Sequence, residues 1–330
     1  MKILVTGGAG FIGSHMVNEL VKTNHEVVVY DSLIYGHKEA LPQKCELITA
    51  DLSDTEKIEE VLEEGFFDAV MHFAAFISMG ESMENPKIYF HNNVVNTLNL
   101  LDIMTKFQVK KFIFSSSAGV YGNPVKVPIP EDHQTIPTNP YGEGKLMVEK
   151  ILKWYDISYG LKYISLRYFN AAGASLEGNN GEDHDPETHI IPNAIKVALG
   201  KNPYFELYGN DYPTKDGTCI RDYIHVLDLV DAHLKSLDCL TSANKSNTFN
   251  IGTGHGYSNR EILNMIKKVS GVDFKIEESL RRPGDANELV ADSSKIKKEL
   301  GWEPQYSDLE TIVKTAWLWH KSHPKGFSKI

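Results

Sequence analysis

The sequence predicts an α/β protein: a doubly wound parallel sheet, followed by a smaller α/β domain toward the C-terminus. Three observations lead to this class. Short β-branched runs alternate with longer helical patterns through the first half of the chain. The runs are apolar without interruption, which suits strands buried on both faces. After about Asn170 the alternation fades into a polar, Gly-rich and acidic stretch, GASLEGNNGEDHDPETH. A chain of 330 residues has room for two domains, and the expected division is 1–172 and 173–330, with some later segments returning to the first domain.

Strands are expected at Lys2 to Thr6, Glu26 to Tyr30, Glu46 to Thr49, Ala69 to Phe73, Lys111 to Ser115 and Tyr163 to Leu166. Helices are expected between them, near 12–22, 54–64, 86–107 and 141–158, because parallel neighbours need a crossover. The last of these stops at Gly160, a residue suited to a left-handed C-cap. Later helices are expected near 190–200, 226–239, 259–270 and 308–321, with loops at 209–217 and 281–287.

Composition narrows the partners. Apolar residues make up 42% and charged residues 24%, enough hydrophobe for a sizeable core and too much for wholesale disorder. The net charge of −10 offers no general attraction to a polyanion, so neither nucleic acid nor an anionic membrane is an expected partner. No apolar run approaches the ~20 residues of a membrane span, and MKILVTGG lacks the features of a signal peptide; the expected location is the cytoplasm. Cys45, Cys219 and Cys239 are widely spaced and form no C-x-x-C pair, which suggests neither a disulfide framework nor a zinc site. Only five arginines stand among 29 lysines.

Thr6 to Gly13 reads T-G-G-A-G-F-I-G, with Gly7, Gly10 and Gly13 spaced G-x-x-G-x-x-G between the first strand and the first helix. There Gly7 permits a tight turn, Gly10 lets backbone approach a pyrophosphate, and Gly13 lets the helix pack against the sheet. The phosphates would meet helix N-terminal amides and the positive end of the dipole. Asp31 lies 18 residues beyond Gly13 at the end of the second strand. Its carboxylate can accept from adenosine ribose hydroxyls and would repel a 2′-phosphate, and Ser32 beside it is no cation. The pattern marks a Rossmann-type dinucleotide site that favours NAD over NADP. The plainer reading of Asp31 is a cap after a strand.

A second constellation pairs F-S-S-S-A-G-V-Y-G at Phe114 to Gly122 with N-P-Y-G-E-G-K at Asn139 to Lys145. Ser115 to Ser117 fall at the carboxyl edge of the sheet, where ligands of such folds bind. Tyr141 and Lys145, four apart at the start of a helix, project from one face. A phenol titrates near pH ~10, so serving as a base near neutrality takes roughly 4 kcal/mol of differential stabilisation. The Lys145 cation, with the positive nicotinamide of NAD+, acts in that direction. Ser117 can hydrogen-bond the same substrate hydroxyl and pass its proton to Tyr141. The plainer reading is a packed Tyr ring beside a solvated Lys.

With GGAGFIG, the serine triplet and Y-x-x-x-K in place, the chain resembles the extended short-chain dehydrogenase/reductase superfamily. More narrowly, from Met1 almost to Ile330, it is similar to the UDP-glucose 4-epimerase (UDP-galactose 4-epimerase) family. That match rests on HFAA at His72 to Ala75, GES at Gly80 to Ser82, NNV at Asn92 to Val94 and RYFNAAGA at Arg167 to Ala174. It continues through GEDH at Gly181 to His184, DGTCIRDYIHVLDL at Asp216 to Leu229, RRPGD at Arg281 to Asp285 and GWEP at Gly301 to Pro304.

The resemblance implies that Ser117, Tyr141 and Lys145 are catalytic. It implies NAD contacts at Gly7, Gly10, Phe11, Ile12, Gly13, Asp31, Asp51, Leu52, Phe73, Ala74, Ala75, Asn92, Tyr141, Lys145 and Tyr168. Ser117, Tyr141, Asn170, Arg221 and Arg282 would contact the UDP-sugar, with Tyr208 near the uracil. The implied activity is interconversion of UDP-glucose and UDP-galactose by transient oxidation at sugar carbon 4, by a homodimer formed through the helices near 86–107 and 141–158. In the family, the position of Leu289 borders the substituent on sugar carbon 2, where a bulky Tyr narrows the pocket and smaller residues admit an N-acetyl group. Leu is intermediate, so action on the N-acetylated UDP-sugars is the alternative. Ile77 stands where segments of the LKAVGES type carry Lys, which implies one fewer cation beside the cofactor. Independently of the resemblance, a chain of net −10 must meet a doubly charged diphosphate with local cations, and planar arginine forks suit that task. The plainer reading of Arg282 is a surface ion pair beside Arg281.

Asp183, His184, Asp185, Glu187 and His189 are metal-binding residue types, but their spacing matches no established motif and carboxylate-rich loops are usually solvated, so no metal is expected. Trp317, Trp319 and His320 read as helix packing. Three other functions share parts of the pattern. A nucleotide-sugar 4,6-dehydratase characteristically places an acidic pair after the strand-five serine or threonine, where this chain has Ala118 and Gly119. A plain alcohol dehydrogenase would turn over free NADH. A non-catalytic NAD-sensing module would keep the glycines and typically lose the Tyr and Lys, both present here.

Overall fold

A computed structural model describes residues 1–282 and 285–327. Along the chain run β1 (Lys2–Thr6), α1 (Phe11–Lys22), β2 (Glu26–Asp31), β3 (Glu46–Thr49), α2 (Thr55–Gly65), β4 (Ala69–His72), α3 (Met79–Glu84), α4 (Pro86–Phe90), α5 (Asn96–Lys106), β5 (Lys111–Ser117), α6 (Pro140–Tyr159) and β6 (Lys162–Tyr168). There follow β7 (Asn170–Ala172), α7 (Ile190–Ala198), β8 (Phe205–Tyr208), β9 (Ile220–His225), α8 (Val226–Ala243), β10 (Asn247–Ile251), β11 (Gly256–Ser258), α9 (Asn259–Ser270), β12 (Ile276–Ser279), β13 (Glu288–Leu289), α10 (Ser294–Leu300) and α11 (Leu309–Ser322). No helix among the described residues is long and apolar enough to cross a membrane.

The chain divides into two compact units after Tyr168 rather than after 172, and neither unit is continuous in sequence. Met1–Gly122, Gln134–Tyr168 and Val230–Phe249 form the first; Asn123–His133, Phe169–Leu229 and the chain from Asn250 on form the second.

The first unit is built on a seven-stranded sheet of order β10-β6-β5-β4-β1-β2-β3. The pairs β1·β2, β2·β3, β1·β4, β4·β5 and β5·β6 are parallel. The winding reverses between β1 and β4, and Thr6 opposes both Tyr30 and His72 there, so three carboxyl ends stand level at the switch point where such sheets take ligands. The apolar strand runs are buried as expected: Leu4, Val28, Val70 and Phe112 meet Ile58, Leu62, Leu100 and Leu152 from the helices. Only β3, at the edge, stays half-exposed.

The helix expected over 86–107 is interrupted by a π-helical turn at His91–Val95. Helix α6 begins as its sequence dictates: the Asn139 side chain accepts from Gly142 N at 2.8 Å, Pro140 occupies the first turn, and Gly160 closes the helix at φ +69°.

In the second unit β9 is central, paired antiparallel to β11 and parallel to β13 and β7, while β8 and β12 form a separate parallel pair. Ile191, Ile195, Ile262, Ile266, Ile312 and Val313 join α7, α9 and α11 in one core. Asp222, buried on β9, accepts from Thr253 N (2.8 Å), Thr253 Oγ1 (2.7 Å), Gly254 N (3.0 Å) and Ala291 N (3.1 Å), which fixes two loops to that strand.

Beneath β5 and β6, Arg167 donates through Nε to Glu149 Oε1 at 2.9 Å and through NH2 to Oε2 at 2.6 Å. Their side chains are 8% and 7% exposed. Ser116 Oγ donates to the same carboxylate at 2.5 Å, and Arg167 NH1 donates to Tyr121 OH at 2.8 Å. Removing one partner leaves a buried charge, so Arg167→Met should cost about 3–5 kcal/mol in a urea titration; an unchanged midpoint would show that the pair carries no stability.

Candidate functional site

The glycine loop is built by backbone contacts that leave no room for side chains. Gly7 has φ +70°, and a Cβ there would lie 2.4 Å from Ala74 N. A Cβ at Gly13 would lie 2.2 Å from Gly7 O and 2.8 Å from Gly8 Cα, so its constraint is against the loop itself rather than against the sheet. Gly10 meets nothing closer than Gly7 O at 3.4 Å. Phe11 and Ile12 open α1, with the Phe11 ring edge-on to His15 at 5.4 Å. The free amides of this helix start and the unfilled face at Gly10 suit a pyrophosphate.

Asp31 already has work in the loop: Oδ2 accepts from Ala9 N at 2.9 Å and Oδ1 from Leu33 N at 2.8 Å. Burial pushes its carboxyl up against the lowering effect of those two bonds. The capping role and a ribose contact are compatible, because each carboxylate oxygen can accept more than one bond. Asp51 Oδ1 accepts from Ser53 N at 2.8 Å, and Leu52 beside it is buried. Phe73 N and Ala74 N both donate to Thr6 O, at 2.8 and 3.1 Å, and Ala75 continues that half-buried segment.

Ser117 stands at the end of β5 and Tyr141 in the first turn of α6. The two elements approach closely because residue 142 is glycine: a Cβ there would lie 2.5 Å from Gly119 O. Lys145, buried one turn further, donates to Ser115 O at 2.7 Å and holds its Nζ 5.8 Å from the Tyr141 ring centroid. Burial raises the Tyr141 phenol while Ser117 lowers it, and burial brings the Lys145 ammonium down to about 7. The sequence-based expectation that Lys145 lowers Tyr141 is thus not met by these side chains alone: burial disfavours both charged forms.

A chain of buried polar groups supports the site, and most of it escaped the sequence reading. Thr6 Oγ1 bonds His72 Nδ1 at 2.7 Å, His72 Nε2 bonds Thr97 Oγ1 at 3.0 Å, and Thr97 Oγ1 donates to Asn93 O at 2.9 Å. Burial, aided by Lys145, brings His72 down to about 3, which keeps it neutral. Asn93, on the π-helical turn, accepts from Phe76 N and donates to Phe76 O, both at 2.9 Å, and accepts from Asn92 Nδ2 at 2.9 Å. Tyr168 OH is hydrogen-bonded to His233 Nε2, and the His233 ring lies 4.9 Å from the Phe73 ring. Ile77 is exposed.

The remaining residues lie in the second unit. Asn170 opposes Tyr223 and Leu289 opposes Arg221, which places Asn170, Arg221 and Leu289 on the β7·β9·β13 patch. Arg221 NH1 donates to Ile220 O at 2.8 Å, and NH2 stands 3.8 Å from Asp285 Oδ1. The Arg282 guanidinium lies 4.3 Å over the Tyr208 ring, while the neighbouring Arg281 takes the ion pair with Asp211 at 2.6 Å. Tyr208 also lines an open depression of about 600 Å³ with Asn210, Glu278, Ser279 and Leu280. Pro283 and Gly284 of the RRPGD motif lie outside the described residues. The loop at 182–189 is not solvated as expected: Glu182 and Glu187 bury their side chains against His184 and His189, whereas Asp183 accepts from Phe327 N at 2.9 Å.

Residues 4–315 match the profile of the GDP-mannose 4,6 dehydratase family. The UDP-glucose 4-epimerase of Lacticaseibacillus casei is 49% identical over 327 residues, covering 99% of this chain and 99% of its own. A crystal structure of a UDP-glucose 4-epimerase agrees at a TM-score of 0.97 and 46% identity, covering 100% of each chain. The UDP-glucose 4-epimerase of Bifidobacterium longum, solved in complex with NAD+ and UDP, agrees at a TM-score of 0.94 and 38% identity, covering 99% of this chain and 100% of that one. Full-length identity of this order, on the same fold, establishes that the chain belongs to the UDP-glucose 4-epimerase family.

Proposed function

We propose that Tyr141 is the acid/base of an NAD-dependent isomerase that interconverts UDP-glucose and UDP-galactose through a 4-keto sugar. The observation that carries this reading is the close approach at Gly142 of the β5 end carrying Ser117 to the first turn of α6 carrying Tyr141, with Lys145 buried one turn away. As phenolate, Tyr141 takes the proton of the sugar 4-hydroxyl through or beside Ser117 and later returns it to the inverted alcohol. The N-terminus of α6 favours the phenolate, and Lys145, pinned by Ser115 O, adds to this in its ammonium form. NAD, when bound, supplies the reversible hydride acceptor for carbon 4, so the reaction has no net redox change.

The cradle for NAD is the loop of Gly7, Gly10, Phe11, Ile12 and Gly13. Asp31 would take the adenosine ribose, with Asp51, Leu52, Phe73, Ala74, Ala75, Asn92 and Tyr168 lining the rest. Arg221 and Arg282 hold the diphosphate of UDP, Tyr208 the uracil and Asn170 the sugar. The stacking of Arg282 on Tyr208 supports this, since it orients a guanidinium that is not tied up in the neighbouring ion pair. Cys45, Cys219 and Cys239 form no disulfide among the described residues, which suits a reducing cytoplasm.

The exposed Met147, Trp154, Ile157 and Tyr159 of α6, with Ile88 and Val95 before α5, support a homodimer through these helices. Light scattering should read about twice the 37.1 kDa of one chain; a monomer at micromolar concentration would contradict the dimer.

Tyr141→Phe should fold and bind NAD yet lose orders of magnitude in turnover, because only the acid/base hydroxyl is removed. Near wild-type turnover would sink the mechanism. Leu289 borders sugar carbon 2 in this reading, a role supported by its register beside Arg221. An acetamide pressed on a packed wall costs on the order of 1–3 kcal/mol, roughly 5- to 150-fold in relative efficiency. UDP-N-acetylglucosamine should therefore be a poor substrate, and Leu289→Ala should raise its turnover selectively. An unchanged ratio between the two sugars in Leu289→Ala would remove Leu289 from the pocket.

A further inference from the structure

On the loop entering α7, Glu182, His184, Glu187 and His189 bring one imidazole nitrogen or carboxylate oxygen each to within 4.8 Å of one another. His189 Nδ1 is 2.9 Å from Glu182 Oε1 and 2.8 Å from Glu187 Oε1. His184 Nδ1 is 3.2 Å from Glu182 Oε1 and 3.7 Å from Glu187 Oε2. Ligands held about 2.0–2.1 Å from a tetrahedral zinc ion stand about 3.3 Å apart, within this range.

Hydrogen bonding alone does not account for the arrangement. His184 Nδ1 is sealed from solvent 3.2 Å from Glu182 Oε1 and 3.7 Å from Glu187 Oε2, and reaches good hydrogen-bond geometry with neither. The Glu182 and Glu187 side chains are only 6% and 2% exposed. No Lys or Arg forms an ion pair with either among the described residues, so the positive charge that two buried carboxylates call for comes either from the two imidazoles beside them or from a bound cation.

We propose that the four side chains form a closed site for a divalent transition cation of the zinc type, bound through both Nδ1 atoms and one carboxylate oxygen of each Glu. The mixed nitrogen and oxygen donors favour zinc over the all-oxygen cages of calcium and magnesium. Four protein ligands leave no open position, so the ion is structural. Its loop is already tied to two helices: Glu182 O accepts from Trp319 Nε1 of α11 at 3.0 Å, and Glu187 O accepts from Asn193 Nδ2 of α7 at 3.1 Å. The ion would lock the entry of α7 to the same core.

The test is titration of the EDTA-treated, dialysed holoenzyme with zinc chloride. Wild type should take up one zinc per chain and gain about 5 °C in Tm at saturating metal. His184→Ala and Glu187→Gln should lose both effects while keeping wild-type turnover. Cobalt(II) added to wild type should give the intense visible absorption of a tetrahedral ion, a readout that stands even if a variant fails to fold. Failure of wild type to take up zinc, retention of the equivalent by His184→Ala, or a weak octahedral cobalt spectrum would each overturn the site.

Discussion

Where β1 ends, three segments of backbone meet without room for a Cβ, and the first unit is arranged around that meeting. Gly7 backs onto Ala74, and Gly13 backs onto Gly7 O. The approach is possible only because β2, β1 and β4 finish level, with Thr6 opposite both Tyr30 and His72. Its consequence for function is that helix α1 starts directly at the sheet edge, its free amides turned to whatever sits over Gly10. The same strand end begins the buried relay from Thr6 through His72 and Thr97 to Asn93, which grips both backbone groups of Phe76. One local steric requirement thereby orders both the dinucleotide loop and the segment after β4.

The side chains proposed as catalytic sit under a different tension. Burial disfavours the phenolate of Tyr141 and the ammonium of Lys145 alike. What the fold supplies is geometry: Asn139 and Pro140 start α6 so that Tyr141 falls in its first turn, Gly142 admits the loop after β5, and Ser115 O holds Lys145. The ion pair of Arg167 with Glu149 fixes Ser116 just before Ser117, so the register of the serine triplet is anchored from below. Charge balance at the phenol then depends on groups brought by the ligands as much as on the chain, which is the reason for pairing such a Tyr with a positively charged cofactor.

Much of this was legible in the sequence because it is written in short, local patterns. The glycine spacing, the carboxylate ending the second strand, and Tyr141 four residues before Lys145 each depend on neighbours within about a turn or a strand. Relations across the sheet left no such trace. Glu149 and Arg167 are a helical and a strand residue whose pairing follows only from three-dimensional packing. Asn93 was visible as part of a motif, but its grip on Phe76 depends on a π-helical turn that no 3.6-residue periodicity announces. Apart from β9, the strands of two to four residues in the second unit are too short to show alternation, and although some later segment was expected to return to the first unit, nothing local marks Val230–Phe249 as that segment. Nothing local separates Glu182 from a solvated acidic loop; its backbone oxygen is held by Trp319, 137 residues away.

The proposed reaction is an internal oxidation that leaves no net change of redox state. Its most direct test is incubation of the purified protein with UDP-galactose and no added NAD, followed by sugar analysis of the nucleotide products. UDP-glucose should accumulate toward equilibrium over many turnovers without release of NADH into solution. Formation of a dehydrated keto sugar, or conversion that stops unless NAD is supplied in proportion to substrate, would contradict it.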